Sequence, residues 1–292
     1  MHISAYAFCG MATVLATANG ALTRVNNFGA NPSNLQMNIN VPTKLSDRPA
    51  IILALHSCGG TGEAYAQSTK YNALSEQKGF ITIFPSTKND NNCWEVNTAK
   101  GLSREAGGDN QGLANMIKYT LRTYNADASK VFVTGTSSGC MMTNVLMATY
   151  PDLIAAASCY SGVPASCLAG SPGASPSTAD PRCANGQIIK TQQQWVAQAK
   201  AMYPGYSGAY PRMMTWHGTA DRFVNYPNLG EQLKLWSGLH DVAFTRNVSD
   251  TPQRGYTQMV YGSGSKVVGF SAQGVGHTVP VHEVEDLKWF GL

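Results

Sequence analysis

Five short apolar runs, each closed by turn residues, alternate with stretches of helical spacing, and this alternation leaves the chain few folds. The runs are AIILALH (50–56), FITIFP (80–85), KVFVTG (130–135), LIAAASCY (153–160) and RMMTWHG (212–218). Apolar stretches this brief mark strands covered on both faces. Between them EAYAQSTKYNALSEQKG, NQGLANMIKYTLRTY and CMMTNVLMATY carry helical spacing. Strand, helix and strand in succession predict parallel strands with crossover helices on both faces, a mostly parallel, doubly wound α/β sheet. A chain of 292 residues, 43% hydrophobic, can bury the core of one such unit.

One long stretch, CLAGSPGASPSTADPRCANG (167–186), has no period and is rich in Ser, Pro, Gly and Ala. The strand and helix pattern resumes after it, so it reads as an insertion loop within one domain over 21–292 rather than a boundary. The first 20 residues, MHISAYAFCGMATVLATANG, hold an apolar stretch too short to span a bilayer that ends in small residues. They read as a secretory signal peptide, cleaved near Ala18 to Ala21, which makes the mature chain extracellular. Only 13% of residues are charged and the net charge is +4, with no run of Lys or Arg. Nucleic acid and anionic membrane are therefore not expected as partners. The chain is expected to be a monomer.

The third run leads into Gly135-Thr136-Ser137-Ser138-Gly139, which fits G-x-S-x-G. In that motif the central serine sits on a sharp strand-to-helix turn with its hydroxyl above the sheet. Serine needs a histidine to take its proton, and the histidine needs a carboxylate to fix its tautomer. In α/β-hydrolases the chain order is Ser, acid, His. His277, in the glycine-flanked turn GVGHTVP after the strand-like KVVGFSA, is the favoured base; His240 and His282 sit at helix ends. Asp221, in the loop after RMMTWHG, is the favoured acid over Asp180, Asp241 and Asp250. His217 precedes the acid and reads as structural.

Acyl transfer also needs N–H donors aimed at the developing oxyanion. The residue after the nucleophile, Ser138, supplies one. The glycine-rich loop LALHSCGGTG (53–62) resembles the HGGG-type loop and would supply the other from Cys58. Its glycines lack the Lys-Ser/Thr ending of a phosphate-binding loop.

Seven cysteines are present, and Cys9 falls inside the signal, leaving six that allow 15 pairings. Their positions suggest Cys58 to Cys93, pinning the oxyanion loop, and Cys167 to Cys183 at the base of the long loop. No C-x-x-C and no histidine at zinc-ligand spacing occur, so no metal site is expected. Asn247-Val248-Ser249 is the usable glycosylation sequon, because proline blocks Asn31-Pro32-Ser33.

With these residues placed, the chain resembles the fungal carbohydrate esterases of family 1, which include feruloyl and acetylxylan esterases and share features with polyhydroxybutyrate depolymerases. The resemblance runs through VNNFGANPSNLQM, ALHSCGGTG, NCWEV, GGDNQGLANMI, VFVTGTSSG, AMYPGYSG, PRMMTWHGTAD, GVGHTVP and WFGL. It implies a secreted, cofactor-free α/β-hydrolase acting on esters of cell-wall xylan, with Ser137 as nucleophile, Asp221 as acid and His277 as base. GGDNQGLANMIKYTL and FTRNVSDTPQRGYTQMVYGSGSKVVGF look more like the feruloyl branch, so release of ferulate or related hydroxycinnamates is the leading expectation and an acetylxylan esterase the alternative. Cys140 and Cys159 depart from the expected pattern, and an extra bridge and free buried thiols both stay open. Met142, Trp94, Tyr160 and the 167–186 loop are the expected wall of the acyl pocket.

Overall fold

The computed structural model describes residues 22–292, so the signal peptide expected over residues 1–20 lies outside the described residues. The strands are β1 (Thr23–Val25), β2 (Gln36–Asn40), β3 (Ile51–Leu55), β4 (Ile81–Ser86), β5 (Val131–Thr136), β6 (Ala156–Tyr160), β7 (Arg212–Gly218), β8 (Phe244–Ser249), β9 (Tyr256–Tyr261) and β10 (Val267–Ala272). The helices are α1 (Gly62–Ser68), α2 (Tyr71–Lys78), α3 (Asp109–Thr123), α4 (Ser138–Thr149), α5 (Pro181–Ala184), α6 (Gln192–Ala201), α7 (Pro227–His240) and α8 (Glu283–Phe290).

All ten strands form one sheet in the order β1-β2-β4-β3-β5-β6-β7-β10-β9-β8. Every pairing from β4 through β3, β5, β6 and β7 to β10 is parallel, while β1 and β2 at one edge and β9 and β8 at the other are antiparallel. The five apolar runs of the sequence are β3 to β7, in the middle of the parallel part.

Side chains alternate across the sheet because a strand has period two. Ile51, Leu53 and Leu55 of β3 face the cluster that Leu113, Val145, Trp195 and Trp236 bring from α3, α4, α6 and α7. Ile52 and Ala54 face the other side, with Tyr65 of α1, Tyr71 of α2 and Phe290 of α8. Both faces are thus covered, which is why β3 reads as an unbroken apolar run rather than an alternating one.

The stretch 63–79 is two helices, not one. Thr69 ends α1 in an extended conformation, its N–H and hydroxyl both bonded to the Tyr65 carbonyl (3.1 and 2.8 Å), and the next N–H, of Lys70, goes to Glu283 of α8 (2.8 Å). The break docks the C-terminal helix against this pair. The 167–186 loop stays irregular apart from the single turn of α5, and a disulfide between Cys167 and Cys183 closes it.

Candidate active site

The C-terminal ends of β3, β5, β7 and β10 bring the chemistry-bearing residues to one edge of the sheet, where parallel α/β folds place their sites. At the end of β5 the chain turns into α4 through Ser137, whose φ of 55° and ψ of −118° lie outside the ordinary regions for a side-chain-bearing residue. The turn needs its flanking glycines. A Cβ on Gly139 would come 2.1 Å from the Leu55 carbonyl oxygen, and one on Gly135 would come 2.5 Å from the Gly139 backbone. The Ser137 N–H is held by the Tyr160 carbonyl at 2.8 Å.

The Ser137 hydroxyl lies 2.9 Å from His277 Nε2, and His277 Nδ1 lies 2.8 Å from Asp221 Oδ2. A proton on Nδ1 is donated to the carboxylate, leaving Nε2 to accept from the serine. The other Asp221 oxygen accepts the N–H groups of Phe223 and Val224, both at 2.9 Å. Burial alone would raise this carboxyl, but hydrogen bonds from His217, His277 and the Val224 N–H outweigh it and hold it well below the usual carboxylate range. His217 is fully buried, donates to the Val224 carbonyl (2.7 Å) and stands 3.5 Å from Asp221. It ties the end of β7 to the 221–224 loop.

The competing residues are elsewhere engaged. His240 meets the Pro211 carbonyl at 2.8 Å and His282 stacks on Trp216 at 4.6 Å. Asp180 caps α5 and pairs with Arg182, Asp241 caps α7, and Asp250 accepts the Gly255 N–H.

Cys58 is disulfide-bonded to Cys93, and the Gly59 N–H donates to the Asn91 carbonyl at 2.9 Å, so the loop after β3 is fastened to the turn at 89–93. Cys58 lines the cavity that holds Ser137 and His277. Ser138 is the first residue of α4, and its N–H has no acceptor within the helix. Its hydroxyl is turned away from the cavity, accepting the Trp94 N–H at 2.9 Å. A third bridge joins Cys140 to Cys159, which resolves the question left open for those two residues.

The cavity has a volume of about 350 Å³, and Met141, Leu168, Ala174, Pro176, Ala179 and Phe223 supply much of its apolar lining. The 167–186 loop forms its wall as expected. Trp94, Met142 and Tyr160 do not: all three are fully buried in the core and none lines the cavity. Met141 takes the place expected for Met142, because position i+4 from Ser137 returns to the nucleophile's side of the helix while the next residue turns about 100° into the core. Phe223 is 71% exposed and 5.7 Å from the His277 ring. Its place two residues after the acid was the available signal for it.

Fold and site are those of an esterase of the α/β-hydrolase class. A family model described as Esterase PHB depolymerase matches residues 37–175. A feruloyl esterase B of Neurospora crassa is 48% identical, the match covering 97% of each chain, and a feruloyl esterase B of Talaromyces stipitatus is 46% identical over 97% of this chain and 79% of its own. The solved acetyl xylan esterase from Aspergillus awamori superposes with a TM-score of 0.88 at 43% identity, covering 93% of this chain and 99% of that one. The chain belongs to carbohydrate esterase family 1.

Proposed function

We propose that the protein is a feruloyl esterase that releases ferulate or related hydroxycinnamates from plant cell-wall xylan, working outside the cell as a single catalytic domain over 21–292. The Ser137 Oγ attacks the ester carbonyl while His277 Nε2 takes its proton. The tetrahedral oxyanion is received by the N–H groups of Cys58 and Ser138. Collapse breaks the bond to the sugar oxygen, which leaves with the proton from His277. A water then attacks the acyl-serine, its proton passing to His277 and on to Ser137, and the hydroxycinnamic acid departs.

The cavity beside Ser137 carries this reading. Its volume of about 350 Å³ falls within the roughly 300–1,000 Å³ of pockets that bind small organic ligands, and its lining is largely apolar. An aromatic acyl group would bury its ring against this lining, whereas an acetyl group would leave most of the cavity to water. Three disulfides support an oxidising destination, and Asn247 is exposed on the edge strand β8, where a glycan would meet no packing. The test is a comparison of methyl ferulate, p-coumarate and caffeate with aryl acetates of matched leaving group. Higher kcat/KM for the hydroxycinnamates is expected. Release of acetate from acetylated xylan with no ferulate from feruloylated arabinoxylan would leave an acetylxylan esterase instead.

A further inference from the structure

A second cavity, of about 420 Å³, adjoins the first. The two share Ser57 and Thr278. Ser137 lines the first cavity and Thr136, the residue before it, lines the second. The reacting serine therefore sits at the seam between two spaces of different chemistry.

Where the first is largely apolar, the second is lined by Tyr65, Ser68, Thr69, Lys70 and Glu283 along with Val279, Pro280 and Val281. Its floor is fixed. Tyr65 is buried with its hydroxyl 2.8 Å from Thr136 Oγ1, and Glu283, 7% exposed, accepts the Lys70 N–H at 2.8 Å. Its rim is open, since Ser68 and Lys70 are exposed. Hydroxyls, a carboxylate and an ammonium share the lining with one apolar strip, Val279, Pro280 and Val281, so the cavity offers donors and acceptors beside a surface on which a sugar ring's C–H face can rest.

An ester has two halves, and the tetrahedral carbon on Ser137 must send them in different directions. The half that leaves takes the proton from His277, and the next residue, Thr278, lines both cavities, so the leaving oxygen can be protonated at their seam. We infer that this second cavity is the subsite for the alcohol half of the ester, and that it takes a neutral pentose chain lying across Tyr65, Thr69 and Glu283 and leaving past Ser68 and Lys70. The inference rests on the feruloyl esterase reading and adds to it the place where the polysaccharide binds. Pyranose and furanose hydroxyls each donate and accept, which suits fixed hydroxyl and carboxylate partners better than an apolar or singly charged ligand does.

The experiment compares two esters of one acid, methyl ferulate and a feruloylated arabinoxylo-oligosaccharide. In the wild type, kcat/KM is expected to be at least tenfold higher for the oligosaccharide, mainly through KM. Ser68→Trp places a bulky ring at the exposed rim, and the ratio of the two kcat/KM values should fall at least tenfold. Direct binding is read in Ser137→Ala by titrating unesterified arabinoxylo-oligosaccharide, which should shift the amide resonances of Ser68, Thr69, Lys70 and Glu283. A wild-type ratio near one, an unchanged ratio in Ser68→Trp, or shifts confined to other residues would overturn the subsite while leaving the feruloyl esterase reading intact. If the wild type cleaves neither ester, that reading fails and the subsite with it.

Discussion

The Ser137 hydroxyl is 2.9 Å from His277 Nε2, although 140 residues separate the two in sequence. Parallel strands make the meeting possible: β5 and β10 end at the same edge of the sheet, so the turn after each opens onto the same space. Two serines occupy the turn after β5, and only the first faces the histidine.

That difference separates two substitutions. Ser137→Ala should abolish turnover and labelling by a fluorophosphonate while leaving thermal unfolding nearly unchanged, since the hydroxyl has no structural partner but His277. Ser138→Ala should remain labelled and active but lose about 1–3 kcal/mol of stability, because the buried Trp94 N–H loses its acceptor. Activity assays with chemical denaturation on both variants decide it. The reverse pattern would move the nucleophile by one residue.

Asp221→Asn should fold and bind substrate but lower kcat by about 10³–10⁴, because the amide no longer favours the His277 tautomer with its proton on Nδ1. Steady-state kinetics with unchanged circular dichroism would check it. A rate near that of the wild type would place the acid elsewhere, although Asp180 is committed to Arg182.

How far the sequence announces this arrangement depends on what each residue must satisfy. β3 to β7 are legible because strands covered on both faces are apolar throughout; Ser137 and Asp221 are legible because each follows such a strand, and His277 because it stands in a glycine-flanked turn after the strand-like KVVGFSA. β8, FTRNVS, lies exposed at the sheet's edge and has no apolar run to separate it from a polar loop. Helix α6, QQQWVAQAKA, buries only Trp195 and Ala199 and so has almost no stripe. The acyl wall is illegible for a different reason. Met141 and Met142 are chemically identical neighbours, and only the phase of α4 decides which one faces Ser137.

Nothing in the sequence singles out Asp286, yet it is wholly buried on α8, accepting the hydroxyls of Tyr160 (2.6 Å) and Tyr71. Burial pushes its carboxyl up to about 7, against the lowering effect of hydrogen bonds from Ser158, Tyr160 and Tyr71. An unfolded aspartate titrates near 3.9. Between those values the native state binds the extra proton, so this group's contribution is full below about pH 4 and lost as pH rises through about 7. Asp221 has the opposite sign: its depressed carboxyl contributes above about pH 4 and loses that contribution as pH falls. Urea unfolding at intervals from pH 5 to 8 should therefore show Asp286→Asn gaining on the wild type as pH rises. A constant difference would mean that Asp286 does not titrate in that interval.

The Cys58–Cys93 bridge closes a loop with a sequence separation of 35, worth about 3–4 kcal/mol in the loop-entropy model. Replacing both cysteines with alanine should lower stability by that order and also lower kcat, because the residue-58 N–H proposed to receive the oxyanion then rides on a loop held by the Gly59 N–H on the Asn91 carbonyl and the Asn92 amide on the Gly60 carbonyl. Denaturation and kinetics on the double variant separate the two effects. Full kcat in a destabilised variant would show that the bridge serves the fold alone.

Phe223 offers the sharpest test of the acyl group. Its ring is 71% exposed beside His277 at the mouth of the apolar cavity, a place where a large hydrophobic side chain gains little from folding. A flat acyl group entering the cavity would cover part of that ring, and covering some tens of Å² at about 25 cal/mol per Å², with a stacking gain of about 0.5–1 kcal/mol, amounts to roughly tenfold in affinity. Phe223→Ala should therefore raise KM for methyl ferulate about tenfold with a smaller change in kcat, and Phe223→Tyr should restore it. For an aryl acetate, whose acyl group has no ring to stack, the rise in KM should be markedly smaller. Equal losses on the two esters would show that Phe223 supports the Asp221 loop, which its N–H already joins, and does not select the acyl group.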